Sequence, residues 1–158
     1  MTTDPKLKGS RHSERGSSEG AVINAILDAG SICHVGFEDE GWPYVIPTIY
    51  VRMQDRVYIH GATGNRMMGL LRRGHPTCLT VTLVDGLVLA KSLFSHSMNY
   101  RSVMIFAKGE EVKDLDSKNE ILLKLSEQLI PGRVEDSRHP TKSELKQTGV
   151  FEIGRAHV

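Results

Sequence analysis

Apolar and polar residues alternate along much of the chain, and this alternation predicts β-strands. Apolar side chains at every second position line one face of a strand, which then packs on a core. The predicted strands cover 31–37, 43–53, 57–60, 77–84, 87–91, 100–114 and 148–153.

Other segments carry helix signals. The first follows Ser18, a good N-cap, and ends at Gly30. Apolar residues three and four positions apart mark a short helix around 67–71. Capping boxes at 117–120 and 141–144 begin two more helices. The apolar stripe of the first helix is predicted at Val22, Ala25, Ile26 and Ala29.

The connections between the strands favour antiparallel pairing. Asp85-Gly86 is typical of a two-residue hairpin turn. Pro47 interrupts its strand, which indicates an edge, a bulge or a place where backbone faces a ligand. We therefore predict a mainly β fold, a small antiparallel barrel with short α-helices at its ends, rather than a doubly wound sheet.

A glycine-bearing turn joins the strand at 57–60 to the following helix. Its sequence is Gly61-Ala62-Thr63-Gly64, and Thr63 is the predicted N-cap. A helix start preceded by small residues exposes backbone N–H groups and suits an anion. Arg66 lies in the first turn, where a cation does not stabilise the helix, and it is placed to reach the same anion. The alternative is an ordinary turn with a solvated arginine.

Composition narrows the class of protein. The 158 residues indicate one domain, and the net charge of +1 gives no basic field for nucleic acid. No apolar run is long enough to cross a bilayer. The polar segment 1–17 is predicted to be a flexible tail without the apolar core of a signal peptide. Cys33 and Cys78 are predicted to be reduced thiols, and the expected compartment is the cytoplasm.

Several common sites are not supported. No G-x-G-x-x-G or G-x-x-x-x-G-K pattern occurs, which argues against Rossmann and P-loop nucleotide sites. His34, His60 and His96 are far apart in the sequence, and a strand histidine is more often a packing residue than a metal ligand. Ser95 lies beside His96 but outside any nucleophile elbow, so a hydrolase is not indicated.

Four segments together resemble the pyridoxamine 5′-phosphate oxidase-related proteins, the FMN-binding split-barrel family. The similarity is greatest to the branch that includes the nitroimidazole-resistance proteins, and it covers about 15–150. The segments are WPYVIPTIY at 42–50, VYIHGATGNRM at 57–67, CLTVTLVDGLVLAKS at 78–92 and SHSMNYRSVMIFAKGEEV at 95–112.

The resemblance implies a split-barrel homodimer with FMN in a cleft between the subunits. The flavin phosphate would lie at the glycine turn, and the segment around Pro47 would run along the flavin ring. Arg101, from the same subunit or from its partner, is the candidate to stabilise negative charge on the reduced ring. The implied FMN-binding residues are Pro47, Thr48, His60, Gly61, Thr63, Asn65, Arg66, Asn99, Tyr100, Arg101 and Ser102.

The C-terminal end departs from the family. Relatives continue past the part that matches 148–150 into a further strand, a basic stretch and a W-x-G segment. The last residues, IGRAHV at 153–158, match what a common sequencing adapter encodes in one frame. We therefore expect a longer natural protein, a split-barrel domain at 18–152 that is incomplete at its C-terminus, and a non-native tail at 153–158.

Three functions remain open at this stage. The first is an FMN-dependent oxidoreductase that acts on a small molecule, with the chemistry carried by the flavin. The second is a non-catalytic module that binds or stores flavin. The third keeps the split barrel but binds haem or a deazaflavin. No side chain in the sequence is identified as a catalytic acid or base.

Overall fold

The computed structural model describes residues 16–155, which form a curled sheet of antiparallel strands with short helices, as the sequence predicts. Most of the predicted tail at 1–17, and the end of the predicted tail at 153–158, lie outside the described residues. The helices are α1 (Gly20–Ala29), α2 (Arg66–Arg72), α3 (Leu115–Leu129) and α4 (Lys142–Gln147). The strands are β1 (Ile32–Asp39), β2 (Trp42–Met53), β3 (Arg56–Ala62), β4 (Pro76–Val88), β5 (Ser97–Lys108), β6 (Glu110–Glu111) and β7 (Thr148–Arg155).

The strands lie in the order β5-β4-β1-β2-β3-β7-β6. The sheet curls into a half-barrel, so that β5 and β7 come into contact although four strands separate them in the sheet. A Cβ atom at Gly154 would lie 3.6 Å from the Cβ atom of Ala107, which places the two strands side by side. Ile153, in the segment expected to be a non-native tail, is a fully buried member of the main core.

Two apolar cores lie on the two faces of the sheet. The main core fills the half-barrel with inward side chains of the long strands, and α1 and α2 close it. Tyr50 is its largest fully buried side chain, and its hydroxyl donates to the carbonyl of Leu27 at 2.6 Å. A smaller core lies under α3, on the other face of β2, β3 and β7. Its buried members are Val51, Ile121, Leu125 and Val150.

The predicted hairpin at Asp85-Gly86 is wrong. β4 continues through both residues to Val88, with a register shift just before Gly86. The chain turns instead over 89–96, through a short 3-10 helix. The bulge explains the error, because a β-bulge accommodates the same turn-forming residues inside a strand. At this bulge the carboxylate of Asp85 accepts a hydrogen bond from Arg101 on β5.

Two helix predictions need correction. The buried stripe of α1 differs from the predicted one, because Val22 is exposed. The N-cap position is Glu19 rather than Ser18, and the Glu19 side chain makes no capping hydrogen bond. The capping box at 117–120 is wrong as well, since Asp114 is the N-cap of α3 and its carboxylate accepts from the Ser117 amide. The buried residues of α1 are Ile23, Ile26 and Leu27.

The capping box that begins α4 is confirmed. The Thr141 hydroxyl accepts from the Glu144 amide at 3.2 Å, and the Glu144 carboxylate accepts from the Thr141 amide at 2.7 Å. The buried ammonium of Lys118 then joins α3 to the end of α4, because it donates to the carbonyl of Thr148 at 2.8 Å. No helix in the described part of the chain is long and apolar enough to span a membrane.

Candidate functional site

The glycine turn joins β3 to α2, as predicted, but the helix is capped differently. Asn65, not Thr63, is the N-cap, and its side-chain oxygen accepts from the Met67 amide at 2.8 Å. The Thr63 amide instead donates to the carbonyl of Gln147 at 3.1 Å. Because Asn65 satisfies one amide of this short helix itself, the anion-binding capacity of the turn depends mainly on Arg66.

The Arg66 side chain is exposed beside the β1–β2 hairpin. Its guanidinium lies 3.5 Å from the carboxylate of Asp39 and 5.0 Å from the centre of the Tyr44 ring. An exposed ion pair of this kind is weak and exchanges readily for another anion. The arginine is therefore available to a phosphate that approaches the turn. The Tyr44 ring stabilises the guanidinium through a cation–π contact.

His60 points away from Arg66. It alternates on β3 with Ile59, which is in the main core, so its ring lies on the α3 side of the sheet, as does its β7 partner Val150. Gly61 faces the main core, where a Cβ atom would lie 2.9 Å from the methyl carbon of Met68. The predicted phosphate residues are thus divided between two faces of β3.

The Nδ1 atom of His60 is buried and has no hydrogen-bond partner among the described residues. Buried polar atoms almost always have partners, so an orphaned nitrogen calls for an explanation. Burial lowers the pKa of this histidine, and the imidazole is neutral at pH 7. A neutral imidazole is able to donate, accept or bind a metal.

A cavity of about 370 Å³ lies against His60, between β3, α3 and the segment that leads into α4. We call it the His60 cavity. Arg138 and Glu144 are among the residues that line it, and their exposed side chains form a two-armed ion pair with distances of 2.9 and 3.0 Å. The pairing with Arg138 lowers the pKa of Glu144 to about 2. The lining residues are His60, Leu122, Leu125, Ser126, Arg138, Pro140, Glu144 and Thr148.

Pro47 and Thr48 lie on opposite faces of β2. Thr48 pairs with the fully buried Cys33 and faces inward, whereas Pro47 pairs with the exposed His34 on the outer surface. β2 continues through Pro47 without a break. Burial raises the pKa of Cys33 to about 12, so this thiol stays protonated and unreactive.

The four predicted residues on β5 are all exposed. Tyr100 and Ser102 pair with Val84 and Thr82 of β4, and they share the outer surface of the sheet. Arg101 points to the opposite side. Asn99 pairs with Gly86, the residue that follows the bulge in β4.

Arg101 is held by Asp85 across the β4–β5 pair. The two side chains form a two-armed ion pair, with nitrogen–oxygen distances of 2.8 and 2.9 Å. The arginine lowers the pKa of the Asp85 carboxyl, which therefore remains ionised. The sequence predicts Asp85 as a turn residue only, because no sequence pattern indicates that β4 continues past it.

The order of strands in the sheet separates two groups of the predicted residues. In the sheet, β4, β1 and β2 separate the residues on β5 from the glycine turn after β3. Adjacent strands are spaced about 4.8 Å apart, so the two groups are on the order of 20 Å apart along the sheet. Pro47, Tyr100 and Ser102 do share the outer surface, whereas Arg66 contacts Tyr44 on the main-core side of the β1–β2 hairpin.

No pattern in the sequence indicates the cavity. Arg138 gives no signal in the sequence, and Glu144 was identified only as part of a capping box. Within residues 16–155, no group of three or more His, Cys, Asp or Glu side chains is arranged to hold a metal ion alone. Cys33 and Cys78 are free thiols, as predicted.

Comparisons with known proteins agree with this architecture. A family model described as pyridoxamine 5′-phosphate oxidase matches residues 19–158. The flavocytochrome Anf3 from Azotobacter vinelandii is 35% identical with a TM-score of 0.89, and the match covers 97% of this chain and 71% of that one. No curated protein matches the sequence.

Two further solved structures are similar. The FAD and heme binding protein from Mycobacterium smegmatis is 32% identical with a TM-score of 0.82, covering 89% of this chain and 69% of that one. A protein from Bacteroides thetaiotaomicron, described as a candidate 5-nitroimidazole antibiotic resistance protein, is 25% identical with a TM-score of 0.71. That match covers 87% of this chain and 80% of the other.

Proposed function

Because the chain belongs to the pyridoxamine 5′-phosphate oxidase-related family of split-barrel proteins, we propose that it binds a flavin and transfers electrons to or from a small molecule. The observation that carries the proposal is the similarity to two proteins that are more than 30% identical, one named a flavocytochrome and the other a FAD-binding protein.

The residues around the glycine turn fit a flavin phosphate. Arg66 offers an exposed guanidinium that lies 3.5 Å from the Asp39 carboxylate and 5.0 Å from the centre of the Tyr44 ring. A Cβ atom at Gly64 would meet no atom within 4 Å, so the turn is open on that side. Arginine binds phosphate well because its planar fork donates two hydrogen bonds. Thr63 and Asn65 complete the polar surface, although Asn65 must share its side chain with the helix cap.

A bound flavin supplies hydride or electron transfer, and the protein supplies binding, orientation and charge. Pro47 and Tyr100 offer flat surfaces on the outer face of the sheet for the ring. Arg101, held by Asp85, points to the opposite side of β5, and we propose that it offers positive charge to the ring from the edge of the sheet. We assign no catalytic acid or base.

We further propose that the protein is a homodimer. The outer face of the sheet carries rows of side chains that continue across four strands, such as Met104, Thr80, His34 and Pro47. Many of the apolar side chains on this face are exposed, and Tyr100 is 62% exposed. Apolar surface of this extent marks an interaction site. We propose that the second copy supplies its β5 to the glycine turn of the first.

The visible spectrum of the purified protein, with mass analysis of the acid-released cofactor, tests the flavin proposal. We expect a flavin absorbance spectrum and a released mass equal to FMN, the cofactor that the motifs imply. A mass equal to FAD keeps the flavin proposal and replaces FMN. A folded protein that is colourless and does not take up added FMN or FAD contradicts the proposal.

Turnover separates an oxidoreductase from a flavin-binding or storage module. NADH or NADPH is supplied with an acceptor such as a nitro compound, and the rate is compared with that of free FMN. We expect a rate above the free-flavin background. A rate equal to that background in the loaded protein would identify the protein as a binding module.

Haem binding is a second candidate function. The two relatives that exceed 30% identity are named as a flavocytochrome and as a FAD and heme binding protein. The specific observation in this chain is a neutral histidine with an orphaned ring nitrogen beside a cavity. Haemin titration, followed by the appearance of a Soret band with a defined stoichiometry, tests this function independently of flavin content.

A further inference from the structure

We infer that the free end of the β4–β5 pair is a docking arm for a second copy of this chain, and that its tip binds an apolar groove beside α3 of that copy. The arm is the segment 84–100, and its tip is the turn at 89–96. The inference rests on the proposed homodimer and deepens it, because it names the contact through which each copy holds the other.

The arm extends beyond the rest of the sheet. β1 pairs with β4 only over 78–80, so among the described strands no third one pairs with the arm. The tip lies in solvent, since Leu93 and Phe94 are 83% and 98% exposed. A ribbon of two strands is marginally stable in water, and a surface that covers it would stabilise it.

One face of the arm is apolar because of the bulge in β4. Val84 pairs with Tyr100, and Leu87 pairs with Met98. Tyr100 and Met98 are two positions apart on β5 and therefore lie on the same face. The extra residue of the bulge, between Val84 and Gly86, brings Leu87 onto that face as well. The face continues the outer surface of the sheet, which the proposed homodimer covers.

The apolar surface of the arm and its strands is large enough for a protein interface. Leu89, Met104 and Phe106 are exposed as well, and with the six apolar residues named above they make nine. An uncovered aromatic side chain presents about 150–250 Å², so the nine together present on the order of 1,000 Å². The largest apolar patch of a monomer is typically about 300–600 Å². Each partner of a standard interface buries about 800 Å², which this patch can supply.

An apolar groove of about 360 Å³ lies beside α3. We call it the α3 groove. Its apolar walls come from Met53, Leu123 and Val134. Three glutamates and one lysine also line it, so these charged groups sum to a net charge of −2. Because opposite charges attract across an interface, the groove suits an apolar group that is accompanied by a positive charge.

The tip of the arm has this chemistry. Lys91 lies in the tip together with Leu93 and Phe94, and no Asp or Glu occurs from 86 to 109. Aromatic side chains that fill apolar pockets are typical anchors of protein interfaces. We therefore assign Phe94 to the α3 groove as the apolar anchor, and Lys91 to the glutamates that line it.

The tip and the α3 groove lie at the same end of the sheet. The arm lies past the start of β1, and so does Met53, because Ile49 is the residue of β2 that pairs with Ile32. The C-terminal end of α3 lies there too, since Gln128 donates to the carbonyl of Gly30 at 3.3 Å. A twofold axis along the strands, between two outer faces, would therefore bring each tip to the groove of the other copy.

Sedimentation equilibrium of the full chain and its variants measures the dissociation constant of the dimer, with flavin absorbance recorded for each. Phe94→Ser removes the anchor. Trp42→Ser is the matched control, because Trp42 is an exposed aromatic residue at the opposite end of the sheet. Lys91→Glu reverses the charge of the tip and Glu120→Lys reverses one charge of the groove, and the double variant exchanges the two. Circular dichroism confirms that each variant is folded.

We expect Phe94→Ser to raise the dissociation constant at least about tenfold, as the loss of an interface anchor does. Trp42→Ser should leave it unchanged. Each single charge reversal should raise it about threefold or more, because like charges then face each other. The double variant should return it towards the wild-type value, since opposite charges meet again.

Four outcomes decide the inference. A dimer that Phe94→Ser leaves as tight as the wild type would overturn the docking arm. A dimer weakened by Phe94→Ser, with no recovery in the double variant, would overturn the assignment to the α3 groove. A monomeric wild type would reject the homodimer together with this inference and leave the arm to a different partner. A dimer that depends on Phe94 and on the charge pair but holds no flavin would support the inference and contradict the flavin proposal.

Discussion

At the scale of single residues, Gly30 lies where the end of α1 meets the main core. A Cβ atom there would be 2.5 Å from the Tyr50 hydroxyl and 2.8 Å from a methyl carbon of Val81. Neither atom has room to move, because Tyr50 and Val81 are fully buried and the hydroxyl is bound to Leu27. The glycine is therefore required by packing rather than by its backbone angles.

We predict that Gly30→Ala destabilises the fold by about 1–3 kcal/mol, the range typical of an overpacked core. The free energy of unfolding from denaturant titration measures it. Gly20→Ala is the control, since no atom lies within 4 Å of its Cβ position, and its effect should be within about 0.5 kcal/mol. Equal effects of the two substitutions would mean that the contact with Tyr50 relaxes freely.

The ion pair between Asp85 and Arg101 leads to a functional prediction that rests on the proposed flavin. In the present arrangement the carboxylate neutralises the charge that Arg101 would offer to a reduced ring. Asp85→Asn should therefore make the reduction potential of the bound flavin more positive, whereas Arg101→Gln should make it more negative. A spectroelectrochemical titration of both loaded variants gives the two shifts. Shifts of the same sign in both variants would place Arg101 away from the ring.

At the scale of elements, the capping box of α4 contributes a pH-dependent part of the stability. Hydrogen bonds from Arg138 and Thr141 lower the pKa of Glu144 from its ordinary value of 4.5 to about 2. A lowered carboxyl pKa stabilises the fold fully above the unfolded-state pKa, and this stabilisation is lost as pH falls through the folded-state pKa. The loss therefore falls between about pH 5 and pH 2.

Glu144→Gln tests this dependence. Its melting temperature should lie below that of the wild type at about pH 6, and the difference should shrink as the pH approaches about 2. The pair is at the surface, so a salt-dependent and modest difference is expected. Melting curves across this range give the comparison, with Lys142→Gln as an exposed control in the same helix. A difference that is constant with pH would show that the ionised carboxylate is not responsible.

Element boundaries were predictable where the signal was purely local. The box at Thr141 and Glu144 forms because both partners belong to one turn of chain. The box at Ser117 does not form, because Asp114 offers a carboxylate one turn earlier and α3 begins there. The hairpin predicted at Asp85-Gly86 does not form for a different reason. β5 pairs with β4 on both sides of these residues. Pairing with a distant strand therefore overrides the local preference for a turn.

The candidate site was predictable in its segments and not in its assembly. The glycine turn, Arg66 and the exposed residues of β5 lie in the elements that the sequence predicts. The covering of the face on which His60 lies depends on the packing of α3 against β2 and β7, and the partners of Arg101 depend on the bulge in β4. Both are long-range contacts, which no local pattern in a single sequence encodes.

At the scale of the whole molecule, the distance between the two halves of the predicted flavin site argues for a second copy. β4, β1 and β2 lie between β5 and β3 within one chain, and the face that joins these strands is exposed and apolar. If two such faces pack together, flavin binding and dimerisation depend on the same surface. The strongest test is therefore a substitution on that face outside the residues proposed to touch the flavin.

Met104 meets this condition: it lies on β5 beside Phe106, on the outer face, and it is 45% exposed. Met104→Glu would bury an unpaired carboxylate in the dimer, so the dimer should dissociate at least about tenfold more readily, equivalent to about 1.4 kcal/mol. Flavin content should fall with it.

Ile130→Glu, at the end of α3 and 59% exposed, is the control and should change neither the dissociation of the dimer nor the flavin content. Sedimentation equilibrium and flavin absorbance report the two quantities separately. If Met104→Glu yields a monomer that retains its flavin, one chain holds the whole site, and Asn99 to Ser102 take no part in it.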